Sequence, residues 1–448
     1  MTSRDHEKWG IVGGGLLGMT LAYRLAEQGK RVVLFEAAPQ LGGLASAWTL
    51  GDIVWDRHYH VTLLSDAALR SVLRSIGLED ELKWTQTRTG FYTDGKLYSM
   101  SNTLEFLRFP PLNLAGKLRL GATIFYASRL TDWRALEQQP VGDWLRRLSG
   151  KHTYEKIWLP LLRAKLGDSY RDTSAAFIWA TIARMYAARR SGLKKEMFGY
   201  VSGGYARILE KYAEALTGKG VEIRRDHRAT AVLAQQSGSV RVEFDNQPPA
   251  EHDQVILTAA APIAARLCPQ LTEEERGRLA AVRYQGIICA SLLLKRGLSP
   301  YYITNLTDPG LPFTAVIEMS QLVDPAQLGG HALVYLPKYV APEDPAFALT
   351  DDEIKDRFLI ALSRMHPQFA LSDVLAFRVS RVRFVFPIPT LGYSERLPSM
   401  QTSIPGLHIV NSAHIVNGTL NVNETMTLAN SAVPALLAQP RPAPETVS

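Results

Sequence analysis

The chain is 448 residues long, 46% of them hydrophobic and 21% charged, which is the composition of a folded globular protein rather than a disordered or fibrous one. Its 50 basic residues against 43 acidic ones leave a formal charge of +7, with no dense Lys/Arg block interleaved with aromatics. That excess suits an anionic ligand or a membrane surface and argues against nucleic acid. Only two cysteines occur, Cys268 and Cys289, which excludes a disulfide framework and a cysteine-rich zinc site and predicts a reducing, cytoplasmic setting. The segment from Met1 to Trp9 is charged and lacks the apolar stretch of a secretory signal. No uncharged apolar run reaches the length of about 18 residues that a membrane span requires.

In chain order, Gly10 to Gly15 ends a short apolar strand, Leu16 to Gln28 reads as a helix closed by Gly29, and Arg31 to Phe35 is a second buried strand. This is a βαβ unit of about 30 residues. An amphipathic helix follows over Asp66 to Gly77, and residues 101–195 read as largely helical, with aromatic and basic residues mixed. Strands return near residues 221–223, 229–233, 240–244 and 255–257, then at 284–295 and 332–340, with a helix over Asp351 to Met365. A last strand over Gly406 to Val410 leads through an Asn-rich turn into a helix ending near Leu437. The Pro-rich stretch 439–448 predicts a disordered tail.

Gly13, Gly15 and Gly18 form a G-x-G-x-x-G motif, with Gly14, Leu16 and Leu17 between them, at the strand-to-helix junction. The first glycine permits a tight turn, the second lets the backbone approach a pyrophosphate, and the third lets helix and strand pack closely. Phosphates then meet free N–H groups at the positive end of the helix dipole. Glu36 ends the next strand, 18 residues after Gly18, where a carboxylate accepts bonds from ribose hydroxyls and repels a 2′-phosphate. After Ala37, the pair Gly42 and Gly43, followed by Leu44, supplies a second close backbone approach for a longer cofactor.

The run from Gly13 to Gly43 resembles the amino-terminal end of the FAD-dependent amine oxidase, protoporphyrinogen oxidase and phytoene desaturase superfamily. The stretch Gly220 to Val232 is similar to that family's second nucleotide strand, which puts backbone near Ala229 against an adenine. Asp253 to Ala260 looks like the strand returning to the dinucleotide fold, and Pro405 to Asn411 like the closing motif. By this resemblance Asn411 contacts the cofactor, and the helix after Asn423 points its amino end at the flavin. The chain departs from the family at Asn411 and Ser412, where Gly-Asp is usual, and in Gln285 to Ala290, which lacks the lysine that amine oxidases often place there. The resemblance therefore favours carbon–carbon desaturation over amine oxidation. No cysteine lies beyond Cys289, so FAD is expected without a cysteine link.

Outside the nucleotide motifs, His58, Tyr59 and His60 are the leading catalytic candidates. On a strand the two imidazoles would share one face, placed to donate to a flavin carbonyl or to shuttle a proton. The competing reading is two hydrogen-bonded histidines at a domain seam. The segment also resembles the H-x-x-H stretch of UDP-galactopyranose mutases, with one residue rather than two between the histidines. Two ligands without a third do not make a zinc site, so no metal is expected. Arg163 and Lys165 are candidates for binding a substrate carboxylate or phosphate; a solvated basic face is the alternative. Tyr335, Lys338, Tyr339 and Tyr393 are weaker candidates, as are Arg381 and Arg383. Residues 104–130 mix apolar side chains with Arg108, Lys117, Arg119 and Arg129, a pattern compatible with a peripheral membrane contact or with a solvated helix.

Together these features predict an α/β protein. A discontinuous Rossmann-type FAD-binding domain comprises residues 1–80, 196–265 and 395–438. It is interrupted by a substrate-binding mixed sheet (81–100 and 266–394) and a helical subdomain (101–195). The function implied by the resemblance is hydride transfer from a small organic or lipophilic substrate, anionic in one variant, to flavin N5. The alternatives are a redox-neutral mutase acting on a nucleotide-sugar and a non-enzymatic flavoprotein.

Overall fold

The computed structural model of the protein describes residues 7–189, 197–416 and 418–438; the tail expected at 439–448 lies outside them. A five-stranded parallel sheet runs in the order Glu222–Arg224, Arg31–Phe35, Lys8–Val12, Gln254–Leu257, Leu407–Ile409. Counted along the chain this is 3-2-1-4-5, the order of a Rossmann sheet. Ligands of such sheets bind beyond the carboxyl ends of the strands, where the order reverses between the first and fourth.

Side-chain alternation explains why these strands are buried on both faces. Ile11, Leu34 and Ile256 point to a core shared with the helices Leu16–Glu27, Gly204–Gly218 and Val422–Leu437. Their neighbours Val12, Phe35, Val255 and Leu257 point the other way. There they meet a three-stranded antiparallel sheet, Ala229–Ala234, Val240–Phe244 and Ala250–His252, and the helix Ala261–Leu267.

A second sheet has seven strands in the order Val374–Pro387, Tyr284–Leu294, Ala332–Val340, Ala315–Glu318, Ile303–Leu306, Thr89–Thr93, Lys96–Ser99. Only the pairing of Ile303–Leu306 with Thr89–Thr93 is parallel, so the sheet is mixed. Tyr284–Leu294 is buried along its whole length. Ile288, Ala290 and Leu292 pack on the helix Asp351–Met365, whereas Ile287, Cys289 and Leu293 face the hairpin Ala47–Leu50 and Ile53–Asp56. Helices from Thr103 to Arg189 gather around Trp144, Leu145, Ile157 and Leu162.

The segment from Asp56 to His60 differs from expectation. The strand Ile53–Asp56 ends at Asp56, and regular pairing resumes only at Thr62–Leu63, so the two histidines are not on a strand. The hairpin is closed by Arg57 N–H donating to the Ser46 carbonyl at 2.9 Å. The buried Asp56 carboxylate accepts Tyr205 N–H at 2.7 Å. These two ties anchor the chain where it leaves the hairpin, and the residues beyond it point to three different walls.

Candidate active site

The glycine loop is built by three different constraints. Gly13 has φ +116, and Gly18 sits so close that an added Cβ would lie 1.9 Å from the Gly13 carbonyl oxygen. At Gly15 an added Cβ would meet nothing within 4 Å. The middle glycine thus opens onto free space at the amino end of Leu16–Glu27, a helix that no side chain caps. Leu16 and Leu17 bury their side chains, leaving first-turn backbone N–H groups as donors. Gly42 N–H donates to the Gly14 carbonyl at 2.8 Å, so the second glycine pair is folded back onto the first loop. The Glu36 carboxylate accepts Gly14 N–H at 2.7 Å and Ala38 N–H at 2.8 Å, one bond per oxygen, and each oxygen keeps a lone pair. His227 N–H donates to the Glu36 carbonyl at 2.8 Å, which brings the strand beginning at Ala229 to the same rim.

His58 is buried, with Nδ1 3.0 Å from the Leu44 carbonyl. Burial pushes its imidazole down to about 4, so it is neutral near pH 7. A neutral ring that donates from Nδ1 carries its lone pair on Nε2, and that atom is buried without a protein partner among the described residues. His58 therefore presents an acceptor, not the donor expected of it. His60, pushed by burial down to about 3, packs on the Tyr205 ring at 4.9 Å, and its Nδ1 is likewise unpartnered. Tyr59 turns toward the mixed sheet, where its hydroxyl meets that of Tyr339 at 2.7 Å. Burial, with Tyr339 beside it, holds the Tyr59 phenol well above its usual range.

Arg163 and Lys165 separate. Two positions apart on the helix Leu159–Leu166, they point to opposite sides. Arg163 is exposed and lies 5.7 Å above the Tyr170 ring. Lys165 is half-buried, its ammonium 3.6 Å from the centre of the Tyr339 ring and 4.9 Å from that of Phe386. It pairs with no carboxylate among the described residues. It lines a cavity of about 190 Å³ whose walls include Phe177, Thr181, Phe386, Tyr393, Ser412, Ile415 and Leu420. Of these, only Tyr393 and Ser412 were signalled by the sequence. Phe177, Ile415 and Leu420 carry no mark distinguishing a cavity wall from a core. Arg381 and Arg383 face away, toward Asp351 and the carbonyls of Leu349 and Pro342.

Two residues expected at the cofactor are engaged by protein. Asn411 accepts Ala413 N–H at 3.0 Å and donates to the Ala259 carbonyl at 2.9 Å, clasping two loops at the ends of neighbouring strands. Asn423 accepts from Ala68 N–H at 2.9 Å and Leu69 N–H at 3.3 Å. The residue capping the helix Val422–Leu437 is Asn421, through Glu424 N–H at 3.0 Å.

Residues 18–421 of the chain are matched by a family model for flavin containing amine oxidoreductases. The chain belongs to that family. Compared with other members, it is 26% identical over 232 residues to a probable zeta-carotene desaturase of Synechococcus elongatus, covering 45% of this chain and 46% of that one. The chain spans less than half the length of the zeta-carotene and phytoene desaturases it matches. An oxidoreductase structure from Methanosarcina mazei superposes with TM-score 0.74 at 17% identity over 95% of this chain and all of that one. Reduced UDP-galactopyranose mutase superposes with TM-score 0.73 at 15% identity over 96% and 95%. These likenesses establish the fold. The residues of this flavin-family member fit a dinucleotide: the open space at Gly15 admits a pyrophosphate, and His58 Nε2 is a buried acceptor lacking a donor. Among the described residues no cluster of His, Cys, Asp and Glu is arranged for a metal ion.

Proposed function

We propose that the protein is an FAD-dependent oxidoreductase of the desaturase or oxidase type, acting on an organic substrate with an apolar body and one anionic end. The observation that carries this reading is the half-buried Lys165 ammonium, without a carboxylate partner among the described residues and set among Phe177, Phe386, Ile415 and Leu420. A lone cation in an aromatic enclosure suits a carboxylate or phosphate attached to an apolar skeleton. The name of the Synechococcus relative points to the same class of carbon–carbon dehydrogenation.

In this reading the N–H groups of Leu16, Leu17 and Gly18, with Gly15, hold the pyrophosphate. Glu36 takes ribose hydroxyls and backbone near Ala229 borders the adenine. Ala37, Gly42, Gly43 and Leu44 flank the ribityl side, and the loops clasped by Asn411 and Asn423 close the far end. A flavin bound there would supply the hydride acceptor, with oxygen or another oxidant as the final electron acceptor. Lys165 orients the anionic end, the aromatic walls exclude water, and His58 accepts a hydrogen bond or a proton at Nε2. No cysteine link holds the cofactor. Cys268 and Cys289 are both buried, and burial pushes Cys268 up to about 12 and Cys289 higher, leaving no thiolate to attack a ring methyl.

The nucleotide-sugar mutase reading calls for several cations around a pyrophosphate, and Arg163 turns away from the cavity. Anaerobic mixing tests the choice. The purified protein should be yellow and release FAD on denaturation, and an apolar carboxylate substrate should bleach the flavin in a single turnover. Turnover of a nucleotide-sugar that requires prior dithionite reduction would overturn the oxidoreductase reading in favour of the mutase.

A further inference from the structure

The helix Leu114–Ala127 is apolar on both sides. Leu120, Thr123 and Ala127 turn inward against the helices Val141–Ser149 and Ala175–Arg189. On the opposite side Leu114, Leu118, Ala122 and Phe125 follow one another at spacings of four, four and three residues, a single helical stripe. This stripe is open: Leu118 is 63% exposed and Phe125 54%. The short helix Thr103–Arg108 adds Leu104 and Leu107, both about half exposed. Of the ten large apolar side chains most exposed among the described residues, six lie between Leu104 and Tyr126. Isolated exposed leucines need no explanation, but a contiguous patch on a helix whose opposite side is already buried does.

Charge identifies what covers the patch. Between Phe106 and Thr131 there is no acidic residue, whereas Arg108, Lys117, Arg119 and Arg129 all fall there. The Arg129 guanidinium lies 4.9 Å above the centre of the Phe125 ring, so cation and apolar stripe share one surface. Lys117 donates to the Leu107 carbonyl at 2.7 Å and joins the two helices into one face. A second copy of the chain docked here would set these cations against themselves. An anionic surface complements them.

We propose that this face docks on an anionic lipid bilayer. Leu104, Leu107, Leu114, Leu118 and Phe125 enter the boundary between headgroups and acyl chains, and Arg108 and Arg129 meet lipid phosphates. No helix among the described residues is long and apolar enough to cross a membrane, so the contact lies in the plane of the surface. Behind the docked helix stands Ala175–Arg189, whose Phe177 and Thr181 line the cavity. The docking does not depend on the functional reading, since it is measured without turnover.

The test is co-sedimentation of the flavin-loaded full chain with phosphatidylcholine vesicles, with and without phosphatidylglycerol. Binding is expected to the phosphatidylglycerol vesicles, weakening roughly tenfold or more in the Leu118→Ser/Phe125→Ser double variant. In Arg108→Gln/Arg129→Gln it should weaken and depend less on salt. Both variants alter exposed side chains and should keep the parent's flavin spectrum and melting temperature. Absence of vesicle binding, or equal binding by parent and double variants, overturns the proposal. Self-association in sedimentation velocity that Leu118→Ser/Phe125→Ser abolishes overturns it in favour of a second copy.

Discussion

At the scale of single residues, the three motif glycines do different work and should fail differently. An added side chain at Gly15 enters open space, so Gly15→Val should leave the flavin-free protein folded while lowering flavin occupancy more than about tenfold, read from absorbance per protein. Gly18→Ala drives a methyl into the Gly13 carbonyl and should lower stability by about 1–3 kcal/mol in urea melts, whether or not flavin is present. Equal losses of occupancy and stability in both variants would refute the distinction. The pair on Leu159–Leu166 divides in the same way. Lys165→Met should raise KM for an anionic substrate about 10- to 100-fold, the range for losing a charge-assisted hydrogen bond. Arg163→Ala, on the exposed side, should change KM less than about twofold. Steady-state kinetics with unchanged flavin spectra decide it.

At the scale of elements, the helix Ala67–Ser75 is capped from outside. Asp66 stands at its N-cap position, yet its carboxylate is committed to Leu63 N–H at 2.9 Å and to the Arg184 guanidinium at 3.0 Å. Asn423, from another helix, supplies the missing acceptor. Asn423→Ala should therefore cost about 1 kcal/mol in urea unfolding, as should Asn421→Ala at the true N-cap of Val422–Leu437; no loss for Asn423→Ala would mean that water replaces the cap. These facts also show what sequence can and cannot disclose. The helix Asp351–Met365 and the strand Arg31–Phe35 were readable to the residue, because a capping Thr350 and an unbroken apolar run are local signals. The Gly13–Gly18 loop was readable for the same reason. The cap donated by Asn423, the clasp made by Asn411 and the inward turn of Lys165 were not, since each is decided by a partner far away in the chain. The expected alternation of His58 and His60 failed because the Asp56 anchor to Tyr205 N–H ends the strand first.

At the scale of the whole molecule, burial sets the response to acid. His58, His252, His366 and His408 are each pushed down to about 4 and His60 to about 3, all chiefly by burial. Their folded values lie below the ordinary 6.5, so their contribution to stability is complete above that pH and is lost as pH falls toward the folded values. Each represents up to about 2 kcal/mol between pH 6.5 and 5. Asp56 acts oppositely: burial raises it from 3.8 to about 7, so its contribution is present at low pH and is lost as pH rises through that range. His414 is lowered by burial as well, and the buried Glu318 carboxyl is raised like Asp56. Six imidazoles against two carboxyls predict net destabilisation on acidification, with the melting temperature dropping by about 5 °C between pH 7.5 and 5. A flat profile by calorimetry would refute it.

The packing of Leu16–Glu27 against Val422–Leu437, with Arg24 Nε donating to Asn430 Oδ1 at 2.8 Å, has a consequence in time. The earliest of the described helices is covered by the last one described. At a synthesis rate of about 5–20 residues per second, some 400 residues take on the order of 20–80 s to follow. Throughout that interval Met19, Leu21 and Leu25 have no native cover from the closing helix. The nucleotide fold is therefore completed only once Val422–Leu437 has been made, and nascent chains should be held by chaperones with that first apolar face still open.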